Sequence, residues 1–181
     1  MAKPYPWYDV TKGEESLLQG DFIDDCPIVS PSQPTEIIEK GDAKVDVSKY
    51  NVVIMSQSCD LVEKKLDIVL VCPVFPLEEV EKVENFFKGK DGKEALRRGN
   101  VPGYHLLNVC DLEDFKRDYQ VVDFRNVFGV PLDTLVLIAK SNEKRLRLLP
   151  PYREHLSQAF ARFFMRVGLP VAVAPVWQDK A

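Results

Sequence analysis

The runs Val52-Val53-Ile54-Met55 and Ile68-Val69-Leu70-Val71 constrain the fold more than any other feature of this sequence. Each is continuously apolar and rich in β-branched residues instead of alternating, the pattern of a strand covered on both faces. Two such strands require a sheet with packed layers on either side, and therefore a substantial core. With 181 residues, 45% of them apolar, the chain can supply one, and this length suits a single domain over 1–181.

The other elements are placed around that pair. Gly20-Asp21-Phe22-Ile23 reads as the entry to a short first strand after a helix-compatible stretch at 14–19, with glycine marking the break. Prolines at 27, 31 and 34 among serines and charges make 27–49 a long loop. Leu77, Val80, Val83, Phe86 and Phe87 recur at helical spacing before the stop signal Gly89. A short helical piece around Glu94 to Arg97 follows, then a glycine-rich turn, so that 77–119 forms an inserted excursion from the sheet. Strand signals return at 121–128, 135–138 and 145–148, the last alternating so that one face is wet. Pro150-Pro151 opens a final helix whose apolar stripe is Tyr152, Leu156, Ala159, Phe160, Phe163, Phe164 and Val167, ended by Gly168 and Pro170.

A formal net charge of −4 argues against a protein that coats nucleic acid by bulk electrostatics and leaves room only for a local basic patch. No apolar run reaches the roughly 20 residues needed to span a bilayer, and the first residues lack the apolar stretch of a signal peptide. The expected compartment is the cytoplasm, with no membrane partner. Cys26, Cys59, Cys72 and Cys110 include no C-x-x-C pair and read as reduced thiols, Cys72 within the core. Cys59, Asp60, His105 and Asp123 are zinc-type ligands without the close spacing of zinc sites, so no metal and no cofactor are expected.

Three groups of residues could carry function. In Ser56-Gln57-Ser58-Cys59-Asp60, hydroxyls, an amide, a thiol and a carboxylate leave a buried strand together, which makes Cys59, Asp60 and Ser58 the catalytic candidates. A nucleophilic thiol would need His105 or His155 as its base. The structural alternative has Ser58 and Asp60 bonding their own loop while Cys59 follows Met55 inward by strand alternation and is shielded. On the last helix His155, Arg162 and Arg166 share one flank, an edge suited to RNA phosphates or an acidic partner, or else simply cations lying over the apolar face. Asp123 and Arg125, two apart on a strand, share a face, and the loop from Arg97 to His105 mixes cations with Tyr104 as single-stranded nucleic-acid surfaces do.

The order Gly20-Asp21-Phe22-Ile23, Val52-Val53-Ile54-Met55-Ser56, Val69-Leu70-Val71-Cys72-Pro73-Val74, Val121-Val122-Asp123 and a closing helix from Pro151 resembles the PemK/MazF family of toxin endoribonucleases. That resemblance implies a mixed β/α (α+β) fold: a small, strongly curved, mainly antiparallel barrel-like sheet with a helical insertion at 77–119 and a C-terminal packing helix. Where the family enters its second strand with arginine and proline, this chain has Lys49-Tyr50-Asn51. Where a serine or threonine follows the proline of the third strand, it has Pro73-Val74-Phe75, so the usual catalytic pair is not matched.

The function expected is an RNA- or partner-binding module of toxin–antitoxin or defence type, its surface drawn from Lys49, Ser56, Arg125, His155 and Arg162. RNA, a protein or a second copy of the chain is the expected partner. The alternatives are a non-catalytic protein-binding regulator and a cysteine-dependent hydrolase built on Cys59.

Overall fold

The structure, a computed structural model, describes residues 5–32 and 44–165. Among these residues the strands are β1 (Tyr8–Lys12), β2 (Phe22–Pro31), β3 (Val45–Ile54), β4 (Ile68–Pro76), β5 (Tyr104–Leu107), β6 (Gln120–Asp123), β7 (Phe128–Pro131) and β8 (Lys144–Leu148). The helices are α1 (Ser58–Val62), α2 (Leu77–Val83), α3 (Lys90–Arg97), α4 (Leu132–Ser141) and α5 (Tyr152–Phe164). No helix among them is long and apolar enough to cross a membrane.

The main sheet runs β2-β3-β4-β6-β5, with β7 also on β4, and every pairing is antiparallel. The two apolar runs sit at its centre, but only the first is covered on both faces as expected: along 68–71 Val69 and Val71 are buried while Ile68 and Leu70 are exposed, because no second layer among the described residues packs over that face. Val52, Val53 and Ile54 are fully buried, and Val53 and Ile54 oppose Cys72 and Val71. Residues 120–122 follow β4 along 76–74, and 128–131 follow it along 71–68. The expected single strand at 121–128 is thus one path broken by a turn. Asp123 makes the break by accepting from the Arg125 backbone N–H (2.9 Å) and the Asn126 side-chain amide (3.0 Å).

The sheet does not close into the barrel expected from sequence. It begins at β2 and ends at β5, while β1 and β8 form a separate two-stranded ribbon, joined to the start of β2 through the Asp21–Arg147 bridge and through Tyr8, whose ring packs edge-on against Phe22. Closure needs a continuous row of donors along the first edge, and β2 carries Pro27 and Pro31 there, which have no N–H. The same prolines are tolerated on an edge, so the segment expected to be a loop from residue 27 instead pairs as a hairpin arm, Ile28 opposite Ser48 and Val29 opposite Val47.

Three further elements differ from expectation. Residues 135–138 are helical: Leu132, Leu135, Val136 and Ala139 lie on one face of α4, with Leu135 and Ala139 buried, while Leu137 is exposed. The stretch 14–19 forms turns instead of helix. Arg145, assigned to a wet face, is buried.

Those last two differences share one cause. Asp21 has no exposed surface and accepts from Arg145 Nε (2.8 Å), from the Leu18 N–H (3.1 Å) and from the Arg147 guanidinium. The remaining Arg145 N–H groups donate to the carbonyls of Lys12 (2.7 Å), Gly13 (3.1 Å), Glu15 (2.9 Å) and Ser16 (2.9 Å). Carbonyls spent on a guanidinium are not spent on helix. Gly20 lets the chain turn into this clasp: its φ is +86°, and a Cβ there would lie 3.2 Å from Leu148 Cβ and Arg153 Cγ.

Helix α5 covers one face of the sheet as expected, with Leu156 fully buried among Met55, Val74 and Phe124, and Phe160 edge-on to Phe124. Phe164, assigned to that stripe, is exposed instead. Arg166, Val167, Gly168 and Pro170 lie outside the described residues. The segment 77–119 supplies edge strand β5 and a small core of its own, where Val80, Phe87, Leu96 and Tyr104 pack on Val121.

Removing Asp21 strands a buried guanidinium, so Asp21→Ala is expected to cost about 3–5 kcal/mol. Leu156→Ala leaves a cavity and should cost about 2–5 kcal/mol, against a total stability of about 5–15 kcal/mol. Urea unfolding midpoints check both, and a midpoint left in place by Asp21→Ala would mean the clasp is dispensable.

Candidate functional site

The segment after strand β3 is held by structural hydrogen bonds. Ser56 is buried, and its Oγ accepts from the Leu70 N–H (2.9 Å). Ser58 Oγ accepts from the Gln19 N–H (3.1 Å), and the Gln19 side chain donates to the Met55 carbonyl (2.7 Å) and reaches Ser157 Oγ at 3.5 Å. Gln19 was not a candidate from sequence; nothing local marks a glutamine that joins two elements.

Cys59 departs from the shielded position expected. Strand pairing gives out after the Met55 N–H bonds the Leu70 carbonyl, and α1 begins at Ser58, so alternation no longer decides where the thiol points. Cys59 is exposed, and its thiol donates to Asp60 Oδ1 at 3.7 Å. Cys26, Cys72 and Cys110 are buried, and burial pushes the Cys26 and Cys72 thiols up to about 11 and about 12. A thiol-reactive dye should therefore label one cysteine per native chain promptly, mapped to Cys59, and the others only after unfolding. Prompt labelling of a second site would contradict this burial pattern.

The two histidines belong elsewhere. A cleft of about 510 Å³ opens between α5 and the loop that joins α3 to β5. His155, Gln158 and Arg162 line it from the helix, at positions that share a face, and Arg97, Arg98 and His105 line it from the other side. None of its lining residues is a carboxylate. The expected basic flank of the last helix and the cationic loop from Arg97 to His105 thus face one another across one cavity. Gln158 could have been found from sequence, three residues after His155 and four before Arg162 on the same helical face.

Charge around the cleft is unevenly compensated. Glu94, one turn before them on the same face of α3, accepts from Arg97 Nε (2.7 Å) and Arg98 Nε (2.5 Å), which holds its carboxyl down at about 2. Arg97 and Arg98 remain exposed on the protein surface. Arg162 is exposed on α5. Burial pushes the His105 imidazole down to about 4, with the neighbouring His155 adding to the effect, so His105 is neutral at pH 7.

The other expected binding residues do not join this cleft. Arg125 lies over the Tyr104 ring, 4.3 Å from its centroid, and a Cβ at Gly103 would come within 3.2 Å of Arg125 Cγ. Its charge is taken by Asp123 (3.0 Å) and Glu84 (3.0 Å), which raises its pKa further, the Asp123 hydrogen bond contributing most. Lys49 is exposed on the hairpin arm opposite Pro27, and Ser56 is inside the protein. Among the described residues no three His, Cys, Asp or Glu side chains gather as metal ligands would.

No known protein family's profile and no curated protein matches this sequence.

The unfolded chain protonates His105 near pH 6.5 and the folded chain near 4, so protons favour unfolding as the pH falls through that window. Stability should decline from about pH 6.5 to about pH 4, and His105→Gln should flatten that part of the profile. A histidine NMR titration checks the cause directly: an imidazole signal of His105 moving with a midpoint near 6.5 would refute it.

Proposed function

We propose that the protein is an RNA-binding module that holds the backbone of a single strand in the cleft between α5 and the loop before β5. The observation that carries this reading is the cleft's composition: three arginines and two histidines line it and no carboxylate does, so that Glu94, shared between Arg97 and Arg98, leaves the cleft cationic on a chain whose net charge is −4. Arginine offers paired N–H donors in the geometry of phosphate oxygens, and a neutral His105 adds a hydrogen bond without adding charge. Binding is the activity these groups account for. No cleavage step is assigned, because Lys49-Tyr50-Asn51 and Pro73-Val74-Phe75 stand where PemK/MazF toxins keep their catalytic residues. The likeness of element order to that family supports a role in a toxin–antitoxin or defence system.

Two other readings have weaker support. A cysteine hydrolase needs a histidine beside Cys59, whereas the thiol bonds Asp60 and both histidines line a cleft to which Cys59 does not contribute. A protein-binding regulator is favoured by the hairpin arm, where Val29, Val45 and Val47 are more than half exposed.

Three phosphate contacts on a single strand give an expected slope of about −2 for log K against log salt concentration. Fluorescence anisotropy of a labelled single-stranded RNA at several salt concentrations measures it. Arg162→Glu should weaken binding and make the slope shallower by about 0.7. Binding indifferent to salt, or to Arg162→Glu, would sink the reading.

A further inference from the structure

The far side of α3 borders a second, larger cleft of about 840 Å³. Its apolar surface comes from Trp7, Leu77, Leu96, Leu106 and Tyr119. Lys88, Lys90, Lys93 and Arg97 also line it, and the one carboxylate in its lining, Glu94, is occupied by Arg97 and Arg98. Lys93 shares its charge with Glu81 at 2.8 Å, and Lys88 donates to Asn85 at 2.7 Å. Apolar and aromatic surface with cations beside it matches a ligand that is flat and apolar in one part and anionic in the next.

Two structural links join this cleft to the first. Arg97 lines both. Trp7 stacks on Tyr152, with ring centroids 3.6 Å apart and planes within 9°, and Tyr152 meets His155 of the first cleft edge-on at 6.1 Å. A strand leaving the first cleft past Arg97 would bring its next nucleotide to the second, where phosphates meet lysines and a base meets aromatic surface. Base stacking on aromatic side chains combined with a cationic track is how sequence-tolerant single-strand binding works.

We infer that the second cleft receives an unstacked base of the RNA strand held by the first, with Trp7 as its stacking surface and Lys88, Lys90 and Lys93 facing the flanking phosphates. The inference rests on the reading of the first cleft as an RNA surface. It assigns to the inserted segment 77–119 the job of extending that surface, and it selects single strands over duplexes, whose bases are already stacked and paired.

The test uses the full chain with Trp177→Phe, which leaves Trp7 as its only tryptophan, and two labelled RNAs of about ten nucleotides: one of mixed sequence and one abasic along its length. Anisotropy reports binding and Trp7 emission reports occupancy of the second cleft. The mixed-sequence strand should bind and quench Trp7. The abasic strand should bind roughly 5- to 150-fold more weakly and leave the emission unchanged. Lys90→Glu, at an exposed position, should weaken binding of the mixed-sequence strand while circular dichroism shows an intact fold. Salt-sensitive binding with Trp7 emission unmoved, or equal quenching by both strands, would overturn the second cleft and leave the first standing. Absence of any binding would overturn both.

Discussion

A carboxylate with no contact with water organises one end of this molecule. Burying Asp21 is tolerated only because its charge is matched and its oxygens are bonded, and Arg145 and Arg147 do both from strand β8. Arg145 has five N–H groups and every one has an acceptor: Asp21 and four carbonyls of the segment between β1 and β2. One side chain thereby sets the path of the N-terminal segment, the register of the β1–β8 ribbon and the approach of β2 to β3. Since Trp7 directly precedes β1, the same clasp also determines where that ring comes to rest, against Tyr152 at the start of α5.

From this end the sheet carries its order outward to β5, where the inserted segment begins to matter. Because β5 pairs with β6 and the small core of Val80, Phe87, Leu96 and Tyr104 sits on Val121, helix α3 is anchored to the sheet and does not float on a tether. Its buried face fixes its exposed one. Lys90, Lys93, Arg97 and Arg98 are then presented on an anchored helix and its C-terminal turn, and the carboxylates beside them, Glu81 on Lys93 and Glu94 on Arg97 and Arg98, are fewer than the cations they meet. Local charge and net charge can differ in sign only when the fold separates the two kinds of residue in this way.

What the sequence disclosed follows from how local each signal is. The strands at 52–55 and 68–71 and most of the stripe of α5 are complete within a few turns or pleats, and they lie where expected; that Ile68, Leu70 and Phe164 are exposed depends on which faces a second layer reaches, which no local run contains. Helix α4 was hidden because Leu135-Val136-Leu137-Ile138 is itself a strand-like tetrad; its helical period emerges only when Leu132 and Ala139 are counted with it. Arg145 sits in an alternating run that gives no hint of a partner 124 residues earlier. The open sheet likewise depends on which edges meet, a matter no local window contains. For the site, the basic character of the 97–105 loop and of the last helix was visible in each piece separately. That they face one cavity, while Arg125 and Ser56 turn to internal partners, is tertiary information.

The β1–β8 ribbon also bears on how the molecule comes into being during synthesis. Tyr8 lies opposite Leu148, so β1 has no partner until β8, the last of the described strands, has followed it out of the ribosome. Pairings this distant in sequence form late and slowly, after the β2–β3 hairpin and the sheet built on it. Trp7 and the carbonyls that Arg145 will claim must wait in an unfinished chain, which is a period of exposure to chaperones and proteases. The second cleft, one wall of which is Trp7, can therefore take its final shape only after strand β8 has been made, however early the inserted segment folds.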